Sequence, residues 1–81
     1  MFYLYILYSA NLDSYYVGAT ADVAERLKRH LSNHHGYTAK AKDWEIVYTA
    51  TFESKTEALA REKMIKSWKS KILIKKLIEE K

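Results

Sequence analysis

The segment spanning residues 15–30 constrains the fold of this chain more than any other stretch. It opens with Tyr15-Tyr16-Val17, an aromatic and β-branched run that favours a strand. Gly18 follows at once, and we expect the strand to end there, because a residue without a side chain lets the backbone turn or lets a ligand approach closely. The segment therefore predicts a strand that leads directly into the next element.

That next element has the signals of a helix. Asp22 and Glu25 have the spacing of a capping box, and Thr20 is an alternative cap. The apolar positions fall on one helical stripe, which consists of Val23, Leu27 and Leu31. This stripe must face a sheet, and Arg26 and His30, one turn apart, flank it on the same side. The two side chains can therefore reach the rim of a cleft between helix and sheet.

The remaining patterns predict two more strands and two more helices. Phe2–Tyr8 has two apolar faces and is interpreted as a central strand, joined through turn-rich residues 10–14 to an antiparallel partner. Residues 33–43 form a polar loop before a third strand, Glu45–Phe52. One side of that strand is predicted to carry Ile46, Tyr48, Ala50 and Phe52.

Two serines mark the starts of the last two helices. Ser54 opens a capping box and a helix to about Trp68, and Ser70 caps the final helix. The inward arc of the first is predicted to contain Ala58, Leu59, Ile65 and Trp68. The stripe of the second is predicted to contain Leu73, Ile74, Leu77 and Ile78. The expected fold is α+β, a small three-stranded antiparallel sheet flanked by helices in the order β-β-α-β-α-α.

Length and composition exclude several classes of protein. Eighty-one residues predict a single domain over residues 1–81. The absence of cysteine removes disulfides, thiolate metal sites and cysteine nucleophiles; it leaves the compartment open, with a cytoplasmic location the simplest expectation. No apolar run approaches the roughly 18 residues of a membrane span, and neither a membrane anchor nor a signal peptide is expected.

Positive charge is concentrated in two parts of the chain. Residues 26–42 contain five Lys or Arg and no acid, and residues 61–76 contain seven against one glutamate. This pattern favours polyanionic partners, although solvated lysine-rich helix faces would look the same.

Glu62 falls within the predicted inward arc of its helix. A buried carboxylate is costly unless it is protonated, paired with a cation or bound to a metal ion. Two interpretations therefore remain open: a metal ligand, or an internal salt bridge to Arg26 or Lys66.

The ordered motifs of the chain resemble those of the GIY-YIG nuclease superfamily. The set begins with Tyr3-Leu4-Tyr5 and Tyr16-Val17-Gly18, continues with Arg26 and His30 on one helix, and ends with Glu62 on a later one. The likeness extends from Phe2 to about Ile78 and is closest to small stand-alone members of the superfamily. It implies a metal-dependent DNA endonuclease that hydrolyses phosphodiester bonds.

The resemblance also implies a catalytic set, Tyr5, Tyr16, Arg26, His30 and Glu62, with one divalent ion, Mg²⁺ or Mn²⁺, on Glu62. Arg26 would clamp the phosphate. We favour Tyr5 as the general base and Tyr16 for orienting water or phosphate, with His30 the remaining candidate base. A phenol of pKa about 10 is a poor base, so a nearby cation is expected to lower the pKa of Tyr5.

The expected partner is DNA, possibly branched or nicked, and cleavage is expected to depend on DNA structure or weakly on sequence. A role in DNA repair and a protein partner for targeting are also considered, whereas a membrane or small-molecule cofactor is not expected. The predicted DNA contacts are Arg26, Lys28, Arg29, Tyr37, Thr38, Lys40, Lys42, Lys66 and Lys69.

Two departures from the family pattern motivate an alternative. The first motif, Tyr3-Leu4-Tyr5, lacks the leading glycine, and no asparagine occurs after Asn33 to match the C-terminal asparagine of many members. The alternative is a catalytically weak or inactive nucleic-acid-binding module of the same fold. A protein-interaction domain is a third class, which no sequence feature specifically favours.

Overall fold

A computed structural model describes residues 1–31 and 40–80 of the chain. The described elements are β1 (Phe2–Ser9), β2 (Ser14–Thr20), α1 (Val23–Leu31), β3 (Glu45–Phe52), α2 (Lys55–Trp68) and α3 (Lys71–Glu79). Their order and the antiparallel sheet confirm the predicted α+β class. Within the described residues, no helix is both long enough and apolar enough to cross a membrane.

The sheet is built around β1, which pairs with β2 on one side and β3 on the other. Its central residues Leu4, Tyr5, Ile6 and Leu7 are each at most 1% exposed. A strand covered on both faces must be apolar on both, which is the pattern that β1 shows. The prediction of a central first strand is confirmed.

Each face of the sheet has its own apolar cluster. On the α2/α3 face, Leu4 and Ile6 pack with Val17 and with Ile65 of α2. On the α1 face, the buried cluster consists of Tyr5, Leu7, Ala41 and Trp44, and the predicted α1 stripe of Val23, Leu27 and Leu31 packs against it. The burial of Ala41 is at odds with the interpretation of residues 33–43 as a wholly polar loop.

The predicted helix caps are confirmed. Asp22 Oδ1 accepts a hydrogen bond from the backbone N–H of Glu25 at 3.1 Å, and Thr20 Oγ1 accepts one from the N–H of Asp22 at 3.1 Å. Asp22 therefore caps α1, and Thr20 stabilises the turn just before the helix. The side chains of Ser54 and Ser70 likewise accept from the first turns of α2 and α3.

The prediction that Gly18 ends the second strand is wrong. β2 continues to Thr20, and Gly18 lies inside it, paired with Tyr5 of β1. The glycine is needed for the approach of a neighbouring side chain, and the backbone does not turn there.

Two leucines predicted to face the core are exposed instead. Leu59 of α2 and Leu73 of α3 are each 45% exposed. In α2 the fully buried positions are Ala58 and Ile65, and Leu59 lies about 100° around the helix from Ala58. The buried face of α2 is therefore narrower than the inward arc that the sequence predicts.

A bulge interrupts the predicted alternation of β3. Ile6 pairs with Tyr48, but Leu7 pairs with Ile46, so Val47 is an extra residue on β3. An extra residue in a strand reverses which side chains face each side of the sheet beyond that point. Val47 and Tyr48 consequently pack against the same cluster, while Ile46 is 39% exposed, and the placement of Ile46 with Tyr48 on one side is wrong.

Candidate active site

The hydroxyl group of Tyr5 lies at the centre of the candidate site. Tyr5 is on the α1 face of β1, and its hydroxyl is hydrogen-bonded to His30 Nε2 at 3.0 Å. His30 comes from the last turn of α1 and is 8% exposed. The direction of this bond follows the histidine tautomer. Arg26 also acts on the Tyr5 oxygen, through its charge and a side-chain hydrogen bond.

Gly18 makes room for Tyr5 on the neighbouring strand. A Cβ atom at Gly18 would lie 2.4 Å from the Tyr5 hydroxyl oxygen and 2.5 Å from its Cζ. These distances are far shorter than a van der Waals contact, so the ring occupies the space that any other residue would fill. Gly18 thus sets the position of the phenol relative to α1.

We expect Gly18→Ala to destabilise the fold by about 1–3 kcal/mol, a typical cost of overpacking. Replacing a strand glycine by alanine would by itself raise the free energy of unfolding by less than about 1 kcal/mol. The steric clash with Tyr5 outweighs this gain, so the variant is expected to be less stable. Urea denaturation measures the change. In a Tyr5→Leu background the cost should shrink, because the clashing ring is gone; an equal cost in both backgrounds would refute the packing explanation.

Tyr16 and Lys66 extend the site along β2. The Tyr16 ring centroid lies 4.8 Å from that of His30 and 6.3 Å from that of Tyr5. Lys66 of α2 places its Nζ 5.6 Å from the Tyr16 centroid, within cation–π range. Because α2 packs on the opposite face of the sheet, Lys66 must reach around the exposed edge of β2.

The carboxylate of Glu62 forms a salt bridge with Lys66. The distance from Lys66 Nζ to Glu62 Oε2 is 2.6 Å, and the two side chains are 48% and 18% exposed, respectively. Of the two interpretations left open by the sequence, the ion pair with Lys66 is therefore present. It does not remove Glu62 from the site, since the Glu62 charge acts on Tyr5 and Lys66 lies against Tyr16.

The pKa of Tyr5 is raised to about 12, first by burial and second by the neighbouring phenol of Tyr16. Arg26 acts in the opposite direction through its charge and its hydrogen bond, while Glu62 contributes a smaller increase. The expectation that a cation lowers this pKa overall is therefore wrong for the free protein, because desolvation of the phenolate outweighs the guanidinium. Tyr5 is a neutral phenol at pH 7.

We expect Tyr5 to be among the last tyrosines to ionise in an alkaline titration followed by ultraviolet absorbance. The neutral phenol is favoured in the folded state, so its stabilising contribution is complete below about pH 10 and is lost as the pH rises through about 12. Tyr5→Phe should remove this late transition. Loss of an early transition instead would show that Tyr5 is not desolvated.

Glu62 is a carboxylate of this cluster that could hold a divalent metal ion. Among residues 1–31 and 40–80, no group of three or more His, Cys, Asp or Glu side chains could hold a metal ion. Mg²⁺ needs only one or two protein carboxylates, because it retains waters and binds substrate phosphates. Glu62 offers such a carboxylate, which is paired with the Lys66 ammonium in this structure.

The other described residues among the predicted DNA contacts are exposed. Lys28 and Arg29 are exposed on α1, where Arg29 Nε contacts Glu25 at 3.3 Å. The three remaining described residues, all exposed, are Lys40, Lys42 and Lys69. Tyr37 and Thr38 lie outside the described residues. The structure thus brings together the five proposed catalytic residues and Lys66.

Lys66 is the site residue whose position the sequence analysis did not anticipate. The sequence predicts it to be a DNA contact and a possible partner of Glu62, but not a neighbour of Tyr16. The available signal was its spacing from Glu62, since residues four apart on a helix are neighbours. The contact with Tyr16 depends on how α2 crosses the sheet edge, which no local pattern specifies.

Comparisons with known proteins found a matching family and a relative. The sequence profile of the GIY-YIG catalytic domain matches residues 1–77, a range that includes the whole cluster around Tyr5. The chain is 42% identical over 65 residues to a UPF0213 protein from Cupriavidus necator. That alignment covers 79% of this chain and 70% of the relative. No solved structure matches the chain.

Proposed function

The chain belongs to the GIY-YIG catalytic-domain family, and on that basis we propose that it is a metal-dependent DNA endonuclease. Nucleases of this family act on DNA and generally use a divalent metal ion. A shared fold does not establish activity, so the proposal depends on the site itself. The observation that carries it is the grouping of His30 and Arg26 at the Tyr5 hydroxyl, with the Glu62 carboxylate near enough for its charge to act on that phenol.

Glu62 would hold the divalent ion, with Mg²⁺ or Mn²⁺ the proposed identity. When bound, the ion supplies stabilisation of the charge that develops on the phosphate. Glu62 itself supplies a negative charge that acts on Tyr5, and its side chain is only 18% exposed, which limits competition from water.

Tyr5 and His30 form the proposed proton path. Tyr5 Oη would accept a proton from the attacking water while its own proton passes to His30 Nε2, 3.0 Å away. A phenol of pKa about 12 cannot supply phenolate at pH 7, but this relay does not require free phenolate. Tyr16, whose ring lies against His30, would orient the water or the phosphate.

Arg26 is the proposed phosphate clamp. Its guanidinium reaches the Tyr5 oxygen, so a phosphate attacked by water at Tyr5 would lie within its range. A planar guanidinium can donate to two phosphate oxygens, and the interaction strengthens as negative charge builds up. The leaving oxygen would take its proton from solvent.

Lys66 is expected to weaken metal binding to the free protein. A partly exposed ion pair is worth only about 0.2–1 kcal/mol, so Lys66→Met should raise Mn²⁺ affinity by up to about fivefold. The affinity for Mn²⁺ is measured without DNA, from the decrease of the free-Mn²⁺ electron paramagnetic resonance signal as protein is added. Lys63→Met, on the exposed side of the same helix, is the matched control and should change little. Equal effects would contradict a specific role for Lys66.

Structure-dependent or weakly sequence-dependent cleavage of branched or nicked DNA remains a prediction. The same holds for a role in DNA repair, a cytoplasmic location and a protein partner for targeting. Lys28, Arg29, Lys40, Lys42 and Lys69 remain proposed DNA contacts on the strength of charge and exposure.

The alternative proposal is a nucleic-acid-binding module with weak or no turnover. Two observations favour it: the pKa of Tyr5 is raised, and Glu62 is already paired with Lys66. Both proposals predict salt-sensitive DNA binding, because displaced counterions contribute to affinity. Only the endonuclease proposal predicts metal-dependent cleavage.

Cleavage assays separate the two proposals. Branched, nicked and linear DNA would be incubated with the protein and Mg²⁺, Mn²⁺ or a chelator. The endonuclease proposal predicts cleavage that requires the metal and is lost in Glu62 and Arg26 variants. DNA binding without cleavage of any substrate would support the binding module instead.

A further inference from the structure

A cavity separate from the Tyr5 cluster lies on the α2/α3 face of the sheet. Its volume is about 450 Å³, within the roughly 300–1,000 Å³ of small-molecule sites. The walls come from the β1–β2 hairpin and from α3. The lining residues are Tyr8, Asp13, Tyr15, Lys71, Ile72 and Lys75.

One wall of the cavity is aromatic. The rings of Tyr8 and Tyr15 are directly paired across the two strands, with centroids 4.9 Å apart and planes inclined at 46°. Both residues are partly exposed, and Ile72 of α3, at 72% exposure, extends the apolar surface. Partly exposed aromatic rings are the surfaces on which proteins stack unpaired bases.

The opposite wall is cationic. Lys71 Nζ donates to Asp13 Oδ2 at 2.9 Å and to the Asp13 carbonyl oxygen at 2.7 Å, which leaves one of its three ammonium hydrogens. Asp13 Oδ1 also accepts from the Tyr8 hydroxyl at 2.8 Å. Lys75, one helical turn beyond Lys71, adds a second cation. Two lysines against one aspartate give the lining a net positive charge.

We propose that this cavity binds one nucleotide, with its base against Tyr15 and its phosphate at Lys75. The nucleotide could be an unpaired unit of a DNA strand or a free mononucleotide, since both present the same chemistry. The inference that the nucleotide belongs to DNA rests on the proposed function, whereas the inference of a nucleotide site rests on the lining of the cavity.

The position of the cavity connects it to the Tyr5 cluster. Tyr15 and Tyr16 are consecutive residues of β2, an edge strand, and pack on opposite faces of the sheet. A strand that crosses this edge would therefore pass from the cavity to the candidate active site. Binding of an unpaired nucleotide beside the cleavage site would favour nicked or branched DNA over intact duplex.

The cationic wall is tested with a fluorescently labelled single-stranded oligonucleotide in a chelator, by fluorescence anisotropy at several salt concentrations. Lys75→Ala should weaken binding and reduce the slope of log K against log salt by about 0.7, the value for one phosphate contact on a single strand. Lys76→Ala removes the same charge from an adjacent exposed position that does not line the cavity. Equal slope changes in the two variants would overturn the proposal.

The aromatic wall is tested with two substitutions at Tyr15. Tyr15→Leu should weaken single-strand binding about fivefold or more without changing the salt slope, because it removes stacking and no charge. Tyr15→Phe keeps the ring and should bind as the unaltered protein does. Thermal melting checks folding; unchanged binding by a folded Tyr15→Leu variant, or equal losses in both variants, would overturn the proposal.

Three ligands identify the source of the nucleotide. Binding of deoxyadenosine monophosphate, detected by NMR shifts confined to the cavity and lost in Lys75→Ala, would support a free-nucleotide site. Variant-sensitive binding of the single strand alone would support a DNA subsite. Duplex binding should be less sensitive to these variants than single-strand binding, and equal sensitivity would overturn the proposal. Because no metal is present, failure of cleavage would not affect the result.

Discussion

Replacing Glu62 by glutamine is expected to lower the rate of metal-dependent DNA cleavage by about two to four orders of magnitude. Glutamine keeps the shape of the side chain but removes the charge that would hold a divalent ion. Transition-state stabilisation by such an ion is worth several kcal/mol, and each 1.36 kcal/mol corresponds to about a tenfold change in rate. Single-turnover cleavage at saturating protein measures the chemical step directly.

The control for Glu62→Gln is a carboxylate outside the cluster. Glu53→Gln removes the same charge from an exposed residue before α2 and should leave the rate nearly unchanged. Neither variant should shift the melting temperature by more than a few degrees, because an ion pair as exposed as Glu62–Lys66 contributes at most about 1 kcal/mol. Cleavage that survives both Glu62→Gln and Arg26→Ala would point to a contaminating nuclease and would contradict the catalytic proposal.

Replacing Arg26 by alanine is expected to lower the single-turnover rate by about 10²–10³. That range is typical for the loss of one preorganised donor to developing negative charge. Arg26 is partly buried beside Tyr5, so its guanidinium acts where water competes less. The loss should remain at saturating DNA, because the interaction strengthens in the transition state.

Arg29 provides the matched control on the same helix. Its side chain is 70% exposed and paired with Glu25, so Arg29→Ala should change the rate by less than about threefold and act mainly on binding. Comparable losses in both arginine variants would indicate general attraction of DNA and would contradict a phosphate clamp at Arg26.

Element type and order could be predicted because local signals agreed with one another. Ser54 and Ser70 each follow a helix-capping pattern, and the double apolar face of residues 2–8 indicates a central strand. The sequence-based predictions are wrong where a residue distant in the sequence determines the local structure. Gly18 was interpreted as a strand end, but the reason for a glycine there is the Tyr5 ring across the ladder.

The remaining errors have the same origin. The β3 bulge depends on the register against β1, so the alternation predicted around Ile46 could not reveal it. Trp44 is 3% exposed although its immediate neighbours are charged, and nothing periodic marks it as a core residue. Trp44 is buried because it packs between α1 and the sheet, in the cluster around Tyr5 and Leu7.

For the candidate site, the resemblance identified residues that the structure then places together. Sequence motifs alone could not show that the buried Tyr5 hydroxyl is hydrogen-bonded to His30 and lies within reach of Arg26. Nor could they show that burial outweighs the guanidinium in setting the pKa of Tyr5, because that balance depends on packing.

Paramagnetic broadening by Mn²⁺ tests most directly whether this cluster is a metal-dependent site. In NMR spectra of the protein titrated with Mn²⁺, the signals of Tyr5, Tyr16 and His30 should broaden first, and Glu62→Gln should abolish that effect. Broadening centred on other carboxylates, or unchanged broadening of the three rings in Glu62→Gln, would contradict the account.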